Sequence, residues 1–249
     1  MPPECDQPII VVDQLTIGYG DTVVLEKLDF TVAAGGVFAI LGGSGSGKST
    51  LLRHLIGLEE PMLGRIAVRG APPRRDAGAP AYGVLFQSGA LFGSMTLFDN
   101  VALPLRQWTR LDRRAIETIV RSKLRLVGLE GFEHHLPAEL SGGMKKRAGI
   151  ARALALDAPL LFLDEPSAGL DPVSSAELDA LILTLNKSLG MTTVIVTHEL
   201  PSIFAIASDC ILLDRGTRGI IARGNPLTLR EARDDPRVHA FFNRTPQAA

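Results

Sequence analysis

The chain of 249 residues has only two cysteines, Cys5 and Cys210, far apart and outside any CxxC or Cys/His cluster. That excludes a disulfide-stapled scaffold and fits isolated thiols in a reducing compartment, with the cytoplasm as the expected location. Long apolar runs are also missing. Mean hydropathy is +0.19, yet a spanning helix needs about 20 nearly uninterrupted apolar residues. Ala151 to Leu163 is cut by Arg152, Asp157 and Pro159, and Thr192 to Val196 has only the length of a strand. The chain is therefore not expected to cross a bilayer by itself, and its apolar residues belong to a buried core. Nor is there an excess of either charge: 26 Lys+Arg face 27 Asp+Glu, a net charge of −1, so no global basic footprint for nucleic acid exists. With 46% hydrophobic and 21% charged residues, intrinsic disorder and collagen-like repetition are excluded over most of the length. No internal repeat is present. Met1 to Gln7 is acidic and proline-bearing, with no basic run leading into an apolar one, so no secretory signal is expected.

What is there alternates between strand and helix signals. Ile9–Val12 and Leu15–Ile17 read as short strands before a turn at Gly18–Asp21, and Leu28–Val32 alternates apolar and polar residues. Val37–Leu41 is a continuous apolar run, as a buried parallel strand requires. Leu51, Leu52, Leu55 and Ile56 then fall on one helical face, closed by Gly57 and Pro61. Gly70–Pro80 reads as a surface loop and Tyr82–Phe86 as another buried strand. From Ser88 to about Leu140 the spacing becomes helical, as in Ile116, Ile119, Val120, Leu124 and Val127, with Asp112 and Gly128 as caps. Strands return at Leu160–Asp164, Thr193–Thr197, Cys210–Asp214 and Gly219–Arg223. Asp171-Pro172 opens a helix with Leu178, Leu181, Ile182, Leu185 and Leu189 on one face, stopped by Gly190. This pattern predicts an α/β fold with a mostly parallel sheet and an inserted helical lobe.

Gly42-Gly43-Ser44-Gly45-Ser46-Gly47-Lys48-Ser49 satisfies GxxxxGK[ST] and lies between a predicted strand and a predicted helix. Glycines let backbone N–H groups converge on a phosphate, and the helix N-terminus favours an anion. Lys48 reaches the β- and γ-phosphates of a nucleoside triphosphate, and Ser49 offers a hydroxyl to Mg²⁺. Leu160–Leu163 carries Asp164 and Glu165 at its C-terminal end, where ligands of open α/β sheets gather. Asp164 is a Mg²⁺ ligand through water, and Glu165 can polarise an attacking water.

Leu140-Ser141-Gly142-Gly143-Met144 resembles the LSGGQ signature of ATP-binding cassette (ABC) ATPases, and the order of segments from about Ile10 to Gly224 follows that family. Ser141 reads as an N-cap, with Gly142 and Gly143 baring the helix N-terminus toward an anion. The resemblance implies a P-loop core with a mostly parallel sheet, an N-terminal antiparallel β subdomain and an inserted α-helical subdomain. It places a single ATP-binding domain over 8–245: core 8–87 and 158–224, helical subdomain 88–157, and tail 225–249. It further implies ATP and Mg²⁺ as cofactors. Two nucleotides would be sandwiched in a head-to-tail homodimer, with Ser141, Gly142 and Gly143 serving the γ-phosphate held by the other copy.

By the same resemblance Tyr19 stacks on adenine, Thr50 belongs with the phosphate loop, and Gln87 contacts Mg²⁺ and the water. Ser167–Asp171 joins the two ATP sites, Asp171 included, and His198 hydrogen-bonds the γ-phosphate. Lys48, Gln87, Glu165 and His198 form the expected catalytic set, and Ser49, Gln87 and Asp164 the expected metal set. Two residues depart from the family pattern: Met144 replaces the usual Gln, and Gly43 stands where proline is frequent.

Met144 also favours a narrower resemblance. Phe86–Leu105, Ser141–Asp157, Leu161–Glu177 and the Asp235–Phe242 tail are similar to the ATPases of Mla/Mce lipid-transport systems. Those move phospholipids between membranes and maintain outer-membrane lipid asymmetry. The implied partners are integral membrane permease subunits, a small cytoplasmic accessory subunit and a periplasmic lipid-binding Mce-type protein, with no nucleic acid. The implied location is the cytoplasmic face of the inner membrane, reached through the permease. Leu91, Phe92, Met95 and Phe98 either line a groove for a permease helix or pack the lobe. The basic run Arg106–Arg125 reads as a solvated face before it reads as a lipid-headgroup site; His134-His135 shows no metal-ligand pattern, and Trp108 shows no role. ABC proteins acting on nucleic acid or the ribosome usually carry tandem cassettes or coiled-coil insertions, which this chain lacks. A small-molecule P-loop kinase leaves Ser141–Gly143, Gln87 and His198 unexplained.

Overall fold

The first strand is continuous where the sequence suggested two: β1 (Pro8–Tyr19) passes through Gln14 at φ 46° and shifts its register between Val12 and Leu15 instead of ending. The extra residue is absorbed as a bulge, and the Gln14 N–H donates to the Asp29 carboxylate at 2.8 Å. The computed structural model describes residues 8–73, 78–87 and 89–245. Cys5, the Met1–Gln7 segment, part of the Gly70–Pro80 loop, Ser88 and the last four residues lie outside the described residues.

The chain packs as two compact units, Met1–Ala77 with Thr192–Ala249, and Gly78–Met191. The first begins with β1 and β2 (Thr22–Ala33), joined by a turn at Gly20-Asp21, then β3 (Val37–Gly42), α1 (Lys48–Leu55) and β4 (Leu63–Val68). The second holds β5 (Gly83–Leu85), α2 (Leu97–Trp108), α3 (Arg113–Leu126), α4 (Gly142–Ala153), β6 (Leu160–Asp164) and α5 (Pro172–Leu189). The first unit resumes with β7 (Thr192–Val196), α6 (Leu200–Ile206), β8 (Asp209–Asp214) and β9 (Gly219–Gly224). It ends with α7 (Pro226–Glu231) and α8 (Pro236–Asn243).

In the first unit, β2, β1 and β4 form an antiparallel sheet. Beside it β3 pairs in parallel with β7 and β8, and β9 adds antiparallel to β8. All six residues of β3 and all five of β7 are buried, as continuous apolar strands covered on both faces should be. In the second unit β5 and β6 are parallel, in register from Gly83↔Leu161 to Leu85↔Leu163. The expected α/β class with mostly parallel strands and an antiparallel N-terminal sheet is what the chain adopts.

Four elements were not read in the sequence: β4, α6 and the tail helices α7 and α8. Only Ile66 and Val68 of β4 are buried, and Gly64 sits at φ 80°, so its alternation is too short to read. Helix α6 has seven residues and opens with a proline. The expected strand Tyr82–Phe86 is shorter: its ladder stops at Gly83 and Leu85, and Tyr82 turns its ring edge-on to Phe162, with centroids 5.3 Å apart. No helix among the described residues is long and apolar enough to cross a membrane.

Candidate functional site

The first unit carries the glycine-rich loop between β3 and α1. Gly42, Gly45 and Gly47 have φ of 152°, 73° and 94°, a backbone that L side chains rarely adopt. A Cβ on Gly42 would lie 2.7 Å from the Leu213 carbonyl oxygen, and one on Gly47 2.9 Å from Leu25 Cδ1. The loop is thus wedged against β8 on one side and β2 on the other. Its N–H groups precede α1, whose first turn has no intrahelical acceptors. Lys48 donates from Nζ to the carbonyls of Gly42 at 2.8 Å and Gly43 at 3.0 Å. Ser49 is exposed, whereas Thr50 is buried at the base. Ser46 is buried too, and its hydroxyl has no hydrogen-bond partner.

Tyr19, at the end of β1, keeps 47% of its surface exposed. Its hydroxyl is fixed to α1, 3.1 Å from Thr50 Oγ1 and accepting from Arg53 at 3.2 Å. The ring is thereby offered to solvent from a defined position. His198 stands two residues beyond the end of β7 and is exposed. Lys48, Ser49, Thr50, Tyr19 and His198 therefore all belong to the first unit.

The second unit gathers the carboxylates and the signature. Asp164 ends β6 half-buried, and Glu165 follows it, buried and at φ 45°. For a residue with a Cβ this left-handed backbone is uncommon, and such strain collects at functional sites. Ser141 caps α4 as expected, its hydroxyl accepting from the Met144 N–H at 3.3 Å. Gly142 abuts the loop that ends in Asp171: a Cβ there would sit 3.3 Å from Leu170 Cδ2. Asp171 caps α5, accepting from the Val173 and Ser174 N–H groups at 3.0 and 3.1 Å. The hydrogen bond from the Ser174 hydroxyl, helped by these backbone bonds, pulls the Asp171 carboxyl below its ordinary value. Gln87, just past β5, is exposed.

Three functional supports escaped sequence reading. Lys146 is buried and donates to the Gln87 and Glu165 carbonyls. Arg152 donates to the Ala90 carbonyl at 2.6 Å and that of Gly89 at 3.2 Å, and burial lowers its pKa. Asn100, fully buried on α2, binds the Phe92 N–H and the carbonyls of Phe92, Met95 and Thr96. Each reaches across a loop, and no local pattern announces it.

Of the four apolar candidates, Phe92 is exposed, and Leu91, Met95 and Phe98 are half-buried. A cavity of about 420 Å³ nearby in the chain is lined by Pro80, Tyr82, Val84, Leu103, Trp108 and Leu156, among others. In the basic run, Arg106 pairs with Asp99 at 3.0 Å, Arg121 with Glu117 at 3.1 Å, and Lys123 with Asp157. Arg106 and Arg121 are exposed, as a solvated face requires, whereas Lys123 is buried.

Comparison with known proteins fits this geometry. Residues 25–168 match the family model described as ABC transporter. The chain is 42% identical, over 94% of its length, to the "Probable ribonucleotide transport ATP-binding protein mkl" of Mycobacterium tuberculosis, of which it spans 66%. It is 41% identical, over 90% of its length and 84% of the relative, to the "Intermembrane phospholipid transport system ATP-binding protein MlaF" of Escherichia coli. The MlaF of Haemophilus influenzae is 40% identical, over 92% of this chain and 88% of the relative. Among solved structures, cbiO1 of Clostridium perfringens, part of the ABC transporter complex cbiONQ, superimposes with a TM-score of 0.81 at 31% identity over 90% of both chains. A dimeric post-hydrolysis state of the ATP-binding cassette MJ0796 bound to ADP and Pi gives 0.75 at 27% identity, covering 87% and 98%. With its phosphate loop, its carboxylate-ended strand and its Ser141-capped helix in place, this chain belongs to the ABC transporter family.

Proposed function

We propose that this chain is the ATP-hydrolysing subunit of a transporter that moves phospholipid between membranes, driving a separate permease. The observation that carries the ATPase part is the glycine-rich loop on α1 together with Glu165 held at the end of β6. For the substrate, support comes from the near-complete length shared with the two MlaF relatives. The mycobacterial relatives are named for ribonucleotide transport, but the chain spans only 66% of them.

In this reading the loop amides and the Lys48 ammonium bind the β- and γ-phosphates, offsetting their charge. Tyr19 presents its ring to the adenine. Ser49 Oγ, the Gln87 amide oxygen and the Asp164 carboxylate are all-oxygen donors, a set that suits a hard cation such as Mg²⁺. When bound, Mg²⁺ would supply positive charge at the phosphate oxygens. Glu165 accepts a proton from the attacking water as its oxygen bonds to the γ-phosphorus, ADP leaves, and His198 hydrogen-bonds the γ-phosphate. Ser141, Gly142 and Gly143 offer the N-terminus of α4 to the γ-phosphate held by a second copy, and Asp171 lies in the loop joining the two sites. ATP binding then favours the closed head-to-tail homodimer, and hydrolysis releases it, so the nucleotide cycle works on the membrane partner.

The permease is a separate integral membrane protein; an accessory subunit and a periplasmic lipid carrier complete the proposed assembly at the cytoplasmic face of the inner membrane. A permease helix docks around Gln87 and the segment that follows it to Leu105, where Leu91, Phe92, Met95 and Phe98 offer apolar surface. The test is purification of this subunit with its membrane partners from native membranes, followed by identification of the bound small molecules. Phospholipid is the expected finding. A sugar, amino-acid or ribonucleotide permease with no bound lipid would overturn the substrate assignment and leave the ATPase reading intact.

A further inference from the structure

Helix α4 turns one ammonium inward. Lys146 is buried, and its Nζ donates to the backbone carbonyl of Glu165 at 3.2 Å and to that of Gln87. Removing an ammonium from water is expensive unless its N–H groups find acceptors. An apolar side chain of similar length would fill the same space without that cost, so the cation is explained by what it holds.

What it holds are the residues that follow two neighbouring strands. β5 and β6 run in parallel register, with Gln87 two residues beyond the end of one and Glu165 directly beyond the other. Glu165 stands at φ 45°, a backbone that persists only where its surroundings over-determine it. A donor fixed on the Glu165 carbonyl restrains the peptide from which the carboxylate projects.

The same helix secures the rest of the turn, because Arg152 holds the Gly89 and Ala90 carbonyls. The helix packs closely on β5. A Cβ on Gly149 would come within 2.4 Å of Leu85 Cδ1, and one on Gly83 within 2.2 Å of the Ala153 carbonyl oxygen.

We propose that Lys146 is a positioning residue for hydrolysis: from the helix capped by Ser141, it fixes the Gln87 and Glu165 backbones and hence the aim of the Glu165 carboxylate. Lys146 thereby links the helix that Ser141 caps to the Glu165 backbone. The proposal rests on the reading of Glu165 as the group that accepts the proton from water.

The experiment uses the full chain with K146M, K146R, E165Q and the K146M/E165Q pair. It measures kcat and KM for ATP and the Kd for a fluorescent non-hydrolysable ATP analogue. K146M is expected to lower kcat roughly tenfold or more, as misplacement of a reacting group does, with KM and Kd within about twofold. K146R, which keeps several donors, recovers most of the loss. In the E165Q background K146M adds less than about twofold, because residues acting through one network are not additive. Unchanged kcat in K146M, loss of analogue binding, or full multiplication of the two defects would overturn the proposal. E165Q turning over at the wild-type rate would remove the reading of Glu165, and the proposal with it. An inactive E165Q beside a fully active K146M would sink the proposal alone.

Discussion

The Lys48 ammonium is bound to the Gly42 carbonyl oxygen at 2.8 Å, with a second bond to Gly43 at 3.0 Å. The loop therefore orients its own cation before any phosphate arrives. K48A removes that charge from a fixed position, and turnover should fall by about 100-fold or more, the scale on which a preorganised electrostatic contact acts. Nucleotide titration and phosphate release measure this, and unchanged binding and turnover would detach the loop from ATP.

Ser141 caps α4 and, in the proposed function, also serves the γ-phosphate; one substitution separates the two. As the cap of α4 it satisfies the Met144 N–H, so S141A should cost about 1 kcal/mol, a fall in Tm of roughly 2–4 °C for a chain of this size. Under the proposed role of the hydroxyl at the γ-phosphate, turnover should fall by far more than so small a loss of stability explains. Thermal unfolding and ATPase assays on the same preparation check both parts. A Tm shift with full activity would reduce Ser141 to a structural cap.

Cys210 should be inert in the native chain. Burial, with the Asp209 charge beside it, pushes its thiol up to about 12, and Sγ donates to the Gly224 carbonyl at 3.2 Å. The folded pKa lies above the unfolded value of about 8.5. The contribution to stability is thus fully present below about pH 8.5 and is lost as pH rises toward the folded value. In a C5S chain, where Cys210 is the remaining thiol, iodoacetamide at pH 8 should leave the folded protein unlabelled and label it in denaturant. Rapid labelling of the native chain would contradict the burial.

Much of the site was readable because its signals are local. The caps at Asp112, Ser141 and Asp171 each bind an N–H two or three residues ahead, and Gly190 ends α5 in the left-handed region. The phosphate loop and the Asp164-Glu165 strand end are contiguous strings. What escaped depends on distant partners. Lys146 meets a carbonyl 59 residues away, and Arg152 meets two at 62 and 63. The apolar cavity at Tyr82 and Trp108 draws on β5, α2 and α4 together, and Asn100, distant in pattern from any apolar run, ties down Phe92 and Met95.

The measurement that most directly tests ATP hydrolysis by this chain is phosphate release from the full chain and its E165Q variant, with ATP binding followed in parallel. General-base assistance is worth about 10²–10⁴ in rate. E165Q should therefore bind ATP as tightly as the wild type, accumulate as an ATP-bound dimer, and lose turnover by roughly that factor. An E165Q variant that hydrolyses ATP at the wild-type rate would contradict the assignment of Glu165 and the mechanism built on it.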